Sequence, residues 1–196
     1  MSAAPRPLPR EVDCAGHPVT FRLMTPTDGP AVLAFARRLP VHDLLFLRRD
    51  ITHPKVIGAW VRDLDSGQLT TLLAWRDETV VGCATIVRDQ LSWSAHVAEL
   101  RIVLSEEMRG RGLGSLLAQE AFAYALGLGA EKLFAQMTAD QKGAIALFEG
   151  LGFTPEAILR DHVRGRDGQK HDLVVLSHDV ARVSARHQAY GLNETL

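Results

Sequence analysis

Three glycines within five positions, Gly110, Gly112 and Gly114, alternate with Arg111 and Leu113 between Arg109 and Ser115, directly after an apolar run and directly before a helical one. Glycine has no Cβ, so this stretch can bend sharply and let a ligand approach its backbone. The first amides of a helix lack intrahelical partners and favour negative charge. Arg109 and Arg111 add guanidinium groups suited to phosphate oxygens. The chemistry encoded is anion binding, and a pyrophosphate suits it. Two other phosphate loops fit poorly. A Walker loop needs Lys and then Ser or Thr after its last glycine, whereas Ser115 and Leu116 follow Gly114; the dinucleotide fingerprint needs glycine where Ser115 stands.

Other residue types capable of chemistry are scattered. Cys14 and Cys83 are far apart and form no CxxC pair. His42 and His53 have no second ligand at helical distance, and His162 and His171 lie across an expected hairpin, so chain spacing predicts no metal site.

The elements that must position the loop alternate between strand and helix patterns, which predicts a mixed α/β (α+β) domain. Strands are expected at 19–24, 69–74, 79–87, 97–104, 132–137, 156–163 and 171–177, about seven in all. About four helices flank them. Asp28 is placed to cap the first, which stops at Pro40; the second starts near Pro54, with Ile57, Trp60, Val61 and Leu64 on one side. The third starts near Gly114 and carries Leu117, Ala121 and Tyr124. Thr138 and Gln141 match a capping pattern for the fourth, whose stripe is Ile145, Phe148 and Leu151, with Gly152 as its left-handed exit. Residues 1–16 read as a flexible N-terminal tail, 17–179 as one domain, and 180–196 as a C-terminal extension.

Two segments in order resemble the GNAT superfamily of acyl-CoA N-acyltransferases. Arg109, Gly112 and Gly114 match its R/Q-x-x-G-x-G/A motif, and Ala144 to Phe153, AIALFEGLGF, resembles its A-x-x-L-Y-E-x-L-G-F segment. The resemblance implies a GNAT fold in which the strand at 97–104 splays from the one at 132–137 and acetyl-CoA lies between them. Backbone groups of Ile102, Val103 and Leu104 would then bind pantetheine, and Arg109, Gly110, Arg111, Gly112, Leu113, Gly114 and Ser115 the pyrophosphate. Gln141 stands where the family often has an asparagine that contacts CoA, with helix capping as its other role.

The implied activity is transfer of an acetyl or other short acyl group to a primary amine, on a small molecule or a protein, by direct attack in a ternary complex. The amine must be neutral when it attacks. Glu99, near the start of the splayed strand, is the base expected from the resemblance; its alternative is an ion pair with Arg101 on the same strand face. Phe148 departs from the family, which often has a tyrosine there to protonate the leaving thiolate. A ring in the helix core is one reading of Phe148, and contact with the acyl or pantetheine end another. His96, His162 and His171 could approach the acceptor cleft, and Trp93 either borders it or packs.

Composition bounds the remaining choices. Twenty-two Lys and Arg balance 23 Asp and Glu, giving a net charge of −1 without the excess that a nucleic-acid partner needs. No apolar run is long enough for a membrane helix, the opening MSAAPRPLPR lacks a hydrophobic centre, and two cysteines fit a reducing cytosol. Pairing of two copies stays open. Two other functions stay open as well: an acyl-CoA sensor without turnover, and a simpler phosphate binder using only the glycine turn.

Overall fold

The computed structural model describes residues 6–180. Its elements run β1 (Arg10–Asp13), β2 (Pro18–Leu23), α1 (Gly29–Arg38), α2 (Pro54–Asp65), β3 (Leu69–Arg76), β4 (Thr79–Val87), β5 (Val97–Leu104), α3 (Leu113–Gly127), β6 (Lys132–Thr138), α4 (Lys142–Gly150), β7 (Thr154–Arg164) and β8 (Lys170–Asp179). One sheet contains every strand in the order β1-β2-β3-β4-β5-β6-β8-β7. Its neighbours are antiparallel except β5 and β6, which run parallel.

The sheet has eight strands rather than about seven because β1 lies within the stretch expected to be a tail. Arg10 to Asp13 pair with Phe21 to Pro18 across the tight turn Cys14–His17. Ala15 and Gly16 both have positive φ, +54° and +81°, the conformation that matches a two-residue hairpin to strand twist. Burial of Val12 and Cys14 against the core holds this short strand, which has too few apolar residues to announce itself. The extension at 180–196 lies, but for Val180, outside the described residues.

Side chains alternate between the two faces of the sheet. One face packs Leu72, Ala84, Ala98 and Leu100 against Leu113, Leu117 and Ala121 of α3. The other packs Leu73, Cys83, Val103 and Leu173 against Val32 and Phe35 of α1 and Ile57 of α2. On β5 this alternation sends Ala98 and Leu100 under α3, and places Glu99, Arg101 and Val103 on the α1 and α2 side.

Two expected caps work differently. Asp28 does not cap α1 with its side chain. Its carboxylate accepts from both terminal nitrogens of Arg22 at 2.7 Å and from the Thr25 amide at 2.7 Å, tying β2 to the short turn before α1. At α4 the capping position is Gln141, not Thr138, and the Gln141 side chain turns back to accept from the Thr138 amide at 3.2 Å.

Candidate active site

The glycine loop is built by two kinds of glycine constraint. Gly110 and Gly112 lie at φ +70° and +83°, where an L side chain is strained, and a Cβ at either would meet nothing within 4 Å. Gly114 allows close approach: its Cβ would stand 3.0 Å from Leu104 Cδ1, at the contact of α3 with β5, so that side chain would have to shift. Gly112 is the residue before α3, and Leu116 N–H donates to its carbonyl at 3.2 Å. The amides of Leu113, Gly114 and Ser115 therefore stand ahead of the helical ladder, in an anion-favouring position. Both arginines have protein partners. Arg109 pairs with Asp43 from the connection between α1 and α2, and Arg111 donates to the Glu107 carbonyl at 2.8 Å and contacts His17. These are exposed contacts, weak enough to exchange for a phosphate.

The two parallel strands separate beside this loop. Their ladder holds only Val97 with Lys132, Ala98 with Leu133, and Glu99 with Phe134. Beyond that, β5 remains paired to β4 as far as Leu104, and β6 to β8 as far as Thr138. The facing edges of residues 100–104 and 135–138 have lost their ladder, which leaves a slot lined by backbone donors and acceptors. Ile102, Val103 and Leu104 flank that slot.

Glu99 is the last β5 residue paired with β6. It is 3% exposed, and Arg101 donates to both its oxygens, at 2.9 and 2.7 Å. The pairing anticipated as the alternative is therefore present. Arg101 and Val103 line a pocket of about 360 Å³ with their cross-strand partners Thr85 and Cys83, and with Val87, which lies opposite Glu99. Trp60 of α2 closes one side and donates to Thr71, whose hydroxyl lies 3.3 Å from that of Thr85. Arg101 is neutralised by Glu99, so the positive surplus of the wall rests on Arg48, Arg49 and Arg88 against Asp63 and Asp89. Burial pushes the Cys83 thiol up to about 12, making it a packing residue rather than a nucleophile.

The remaining residues divide between core and surface. Phe148 is buried, its ring edge-on to Phe153 at 5.1 Å. Trp93 is wholly exposed rather than packed. His96 and His162 are exposed on the surface. His171 instead meets His42 and Asp140, their ligand atoms all within 4.8 Å of one another. Chain spacing did not reveal this cluster, because its members come from three separate segments. The Thr138 hydroxyl, then the backbone amide of Asp140 itself, and after these His42 and His171, hold the Asp140 carboxyl below its ordinary value, against an opposing effect of burial. Asp43, the Arg48 and Arg49 pair, and Arg101 as a pocket residue were not anticipated. The nearest signal was alternation on β5, which puts Arg101 on the face of Glu99.

Arg101 and Val103 belong to both the pocket lining and β5, the strand that flanks the slot and leads to the glycine loop. The family model described as "Acetyltransferase (GNAT) family" matches residues 38–153. Over 84 residues, 43% of this chain, the sequence is 37% identical to "Putative phosphinothricin acetyltransferase YwnH" of Bacillus subtilis (strain 168); the chain spans about half of that relative, 51%. A GNAT-family acetyltransferase structure from Streptococcus pneumoniae superposes with a TM-score of 0.71 at 23% identity, covering 82% of this chain and 99% of that one. A GNAT phosphinothricin acetyltransferase from Sinorhizobium meliloti, solved in complex with AcCoA, also gives 0.71, at 19% identity over 82% of this chain and 88% of that one. No helix among the described residues is long and apolar enough to cross a membrane. With the family model spanning more than half of its residues, this chain belongs to the GNAT family of acetyltransferases.

Proposed function

We propose that this protein transfers an acetyl or other short acyl group from acetyl-CoA to the primary amine of a small molecule by direct attack in a ternary complex. The observation that carries the reading is the end of the β5–β6 ladder at Glu99 and Phe134, beside the glycine loop. The amides of Leu113, Gly114 and Ser115 bind the pyrophosphate, and the unpaired edges of Ile102, Val103 and Leu104 bind pantetheine by extending the sheet. Acetyl-CoA supplies the activated acyl group as a thioester.

The chain then supplies orientation, charge stabilisation and a proton acceptor. A β5 amide in the slot donates to the carbonyl oxygen as negative charge builds on it. The amine forms a C–N bond as the C–S bond breaks, and its proton passes through water to Glu99. Arg101 occupies two of about four lone-pair positions of that carboxylate, so a water can still donate to it. Phe148 cannot donate a proton; the thiol, with an ordinary pKa near ~8.5, leaves as thiolate and is protonated by solvent. The cationic pocket suits an amine that also bears a carboxylate, phosphinate or similar anion.

The clamped Glu99 and the donor-free Phe148 also favour a second reading, an acyl-CoA sensor without turnover. Thiol release from acetyl-CoA, followed across amines with and without an anionic group, separates the two. Transfer predicts steady release that is fastest with anionic amines, whereas binding without release across the panel selects the sensor. Glu99→Gln is expected to lower turnover by about 100-fold and to change the pH–rate profile while leaving CoA binding intact. An unchanged profile removes Glu99 from proton transfer.

A further inference from the structure

We propose that His42, Asp140 and His171 form a binding site for a divalent transition-metal ion, with zinc the best match, which fastens the α1–α2 connection to the ends of β6 and β8. The site stands apart from the acyl-transfer reading and does not depend on it.

The donor set is two imidazoles and one carboxylate, which suits zinc and its neighbours and leaves a fourth position for water. His42 Nε2 lies 2.9 Å from Asp140 Oδ2. The two imidazoles meet edge to face, their centroids 5.1 Å apart at 70°, so they converge without stacking. Tetrahedral zinc with bonds of ~2.0–2.1 Å needs donors spaced by roughly 3.3 Å. The donors now lie up to 4.8 Å apart, so binding draws them together by about 1.5 Å. The three residues line a depression of about 500 Å³ with room for a water ligand.

A built outer layer supports the donors. Thr138 is fully buried, yet its hydroxyl donates to the Asp140 carboxylate and lies 3.4 Å from His42 Nε2. Such a contact fixes the orientation of a ligating carboxylate. Arg166 borders the depression but directs its guanidinium to Asp50 at 2.8 Å and Thr52 at 3.2 Å, away from Asp140.

The donors come from the α1–α2 connection, the β6–α4 connection and the start of β8, so a bound ion ties three segments together. The short turn Val41–Leu44 that carries His42 also carries Asp43, the partner of Arg109 in the glycine loop. The metal holds this turn beside the glycine loop, and its effect is conformational rather than chemical.

The test uses the full chain without an affinity tag, freed of metal by a chelator. Cobalt(II) is titrated in while tetrahedral d–d absorption is followed, and zinc affinity is measured by competition with a chromophoric chelator. One equivalent is expected to bind at micromolar levels or tighter. His42→Asn, Asp140→Asn and His171→Asn should each weaken binding more than ~10-fold, while His162→Asn leaves it unchanged. Because Asp140 is exposed and the imidazoles are partly so, the variants should melt like the wild type without metal. Zinc should also slow hydrogen exchange at residues 41–47 in the wild type but not in His171→Asn. Absence of micromolar binding, or binding that survives in the His42→Asn, His171→Asn double variant, overturns the proposal and leaves a His–Asp ion pair.

Discussion

Replacing Gly112 with alanine adds one methyl group at φ +83°, in a position where a Cβ meets nothing within 4 Å. Steric contact therefore contributes nothing, and the entire penalty is the cost of the left-handed conformation for an L residue, ~1–2 kcal/mol. The chain can bear that cost in two ways. If the loop keeps its shape, the folded state loses that amount and the melting temperature falls by roughly 2–8 °C. If the loop relaxes, the amides of Leu113, Gly114 and Ser115 lose their alignment and acetyl-CoA affinity falls by about 5- to 30-fold, since ~1.4 kcal/mol is a factor of ten. Calorimetric titration with CoA, together with a thermal melt, measures both. Gly143→Ala is the matched control, because Gly143 is in α4 at ordinary helical φ, with nothing within 4 Å of an added Cβ. It should bind CoA normally and be slightly more stable, as alanine is in helices generally. A Gly112→Ala protein that binds CoA and melts like the wild type would refute the loop geometry, and an equal loss in Gly143→Ala would refute its link to conformation.

Two further predictions concern titration. Arg22, by donating to Asp28 with help from Thr25, lowers that carboxyl to about 2 against the opposing effect of burial. A carboxyl depressed in the folded state stabilises above its ordinary value of ~3.9 and loses the contribution as pH falls through about 2. Asp28→Asn should thus cost about 2 kcal/mol at neutral pH, at ~1.4 kcal/mol per tenfold in proton affinity. Urea midpoints at pH 7, 4 and 2 check this, and a deficit that does not shrink on acidification would count against it. Cys83, with its thiol raised by burial to about 12, should resist a thiol reagent at pH 8 in the native chain, and both cysteines should react after denaturation. Rapid native labelling at Cys83 would contradict its burial.

Much of the fold was legible in local pattern. Periodicity located every helix and the strands from β2 onward, because each buries one face over several residues and repeats its apolar positions at a fixed interval. The glycine loop was equally legible: positive φ and close approach are backbone demands met by residue type, as Gly110, Gly112 and Gly114 show. β1 was not legible, since Val12 and Cys14 are too few to make a pattern and gain their stability only from the partner strand.

What the sequence determined by itself, then, was a glycine-rich turn between a strand and a helix, and the family to which that turn belongs. Tertiary structure alone decided which distant side chains meet around it. The clamp of Arg101 on Glu99 follows from a strand face that only the folded sheet buries. Asp43 on Arg109, and the convergence of His42, Asp140 and His171, require segments far apart in the chain to close at the end of the sheet where β5 and β6 stop. No local signal marks such meetings, because the free energy that brings them about is burial of the core between those segments, and the polar groups are carried to one another by it.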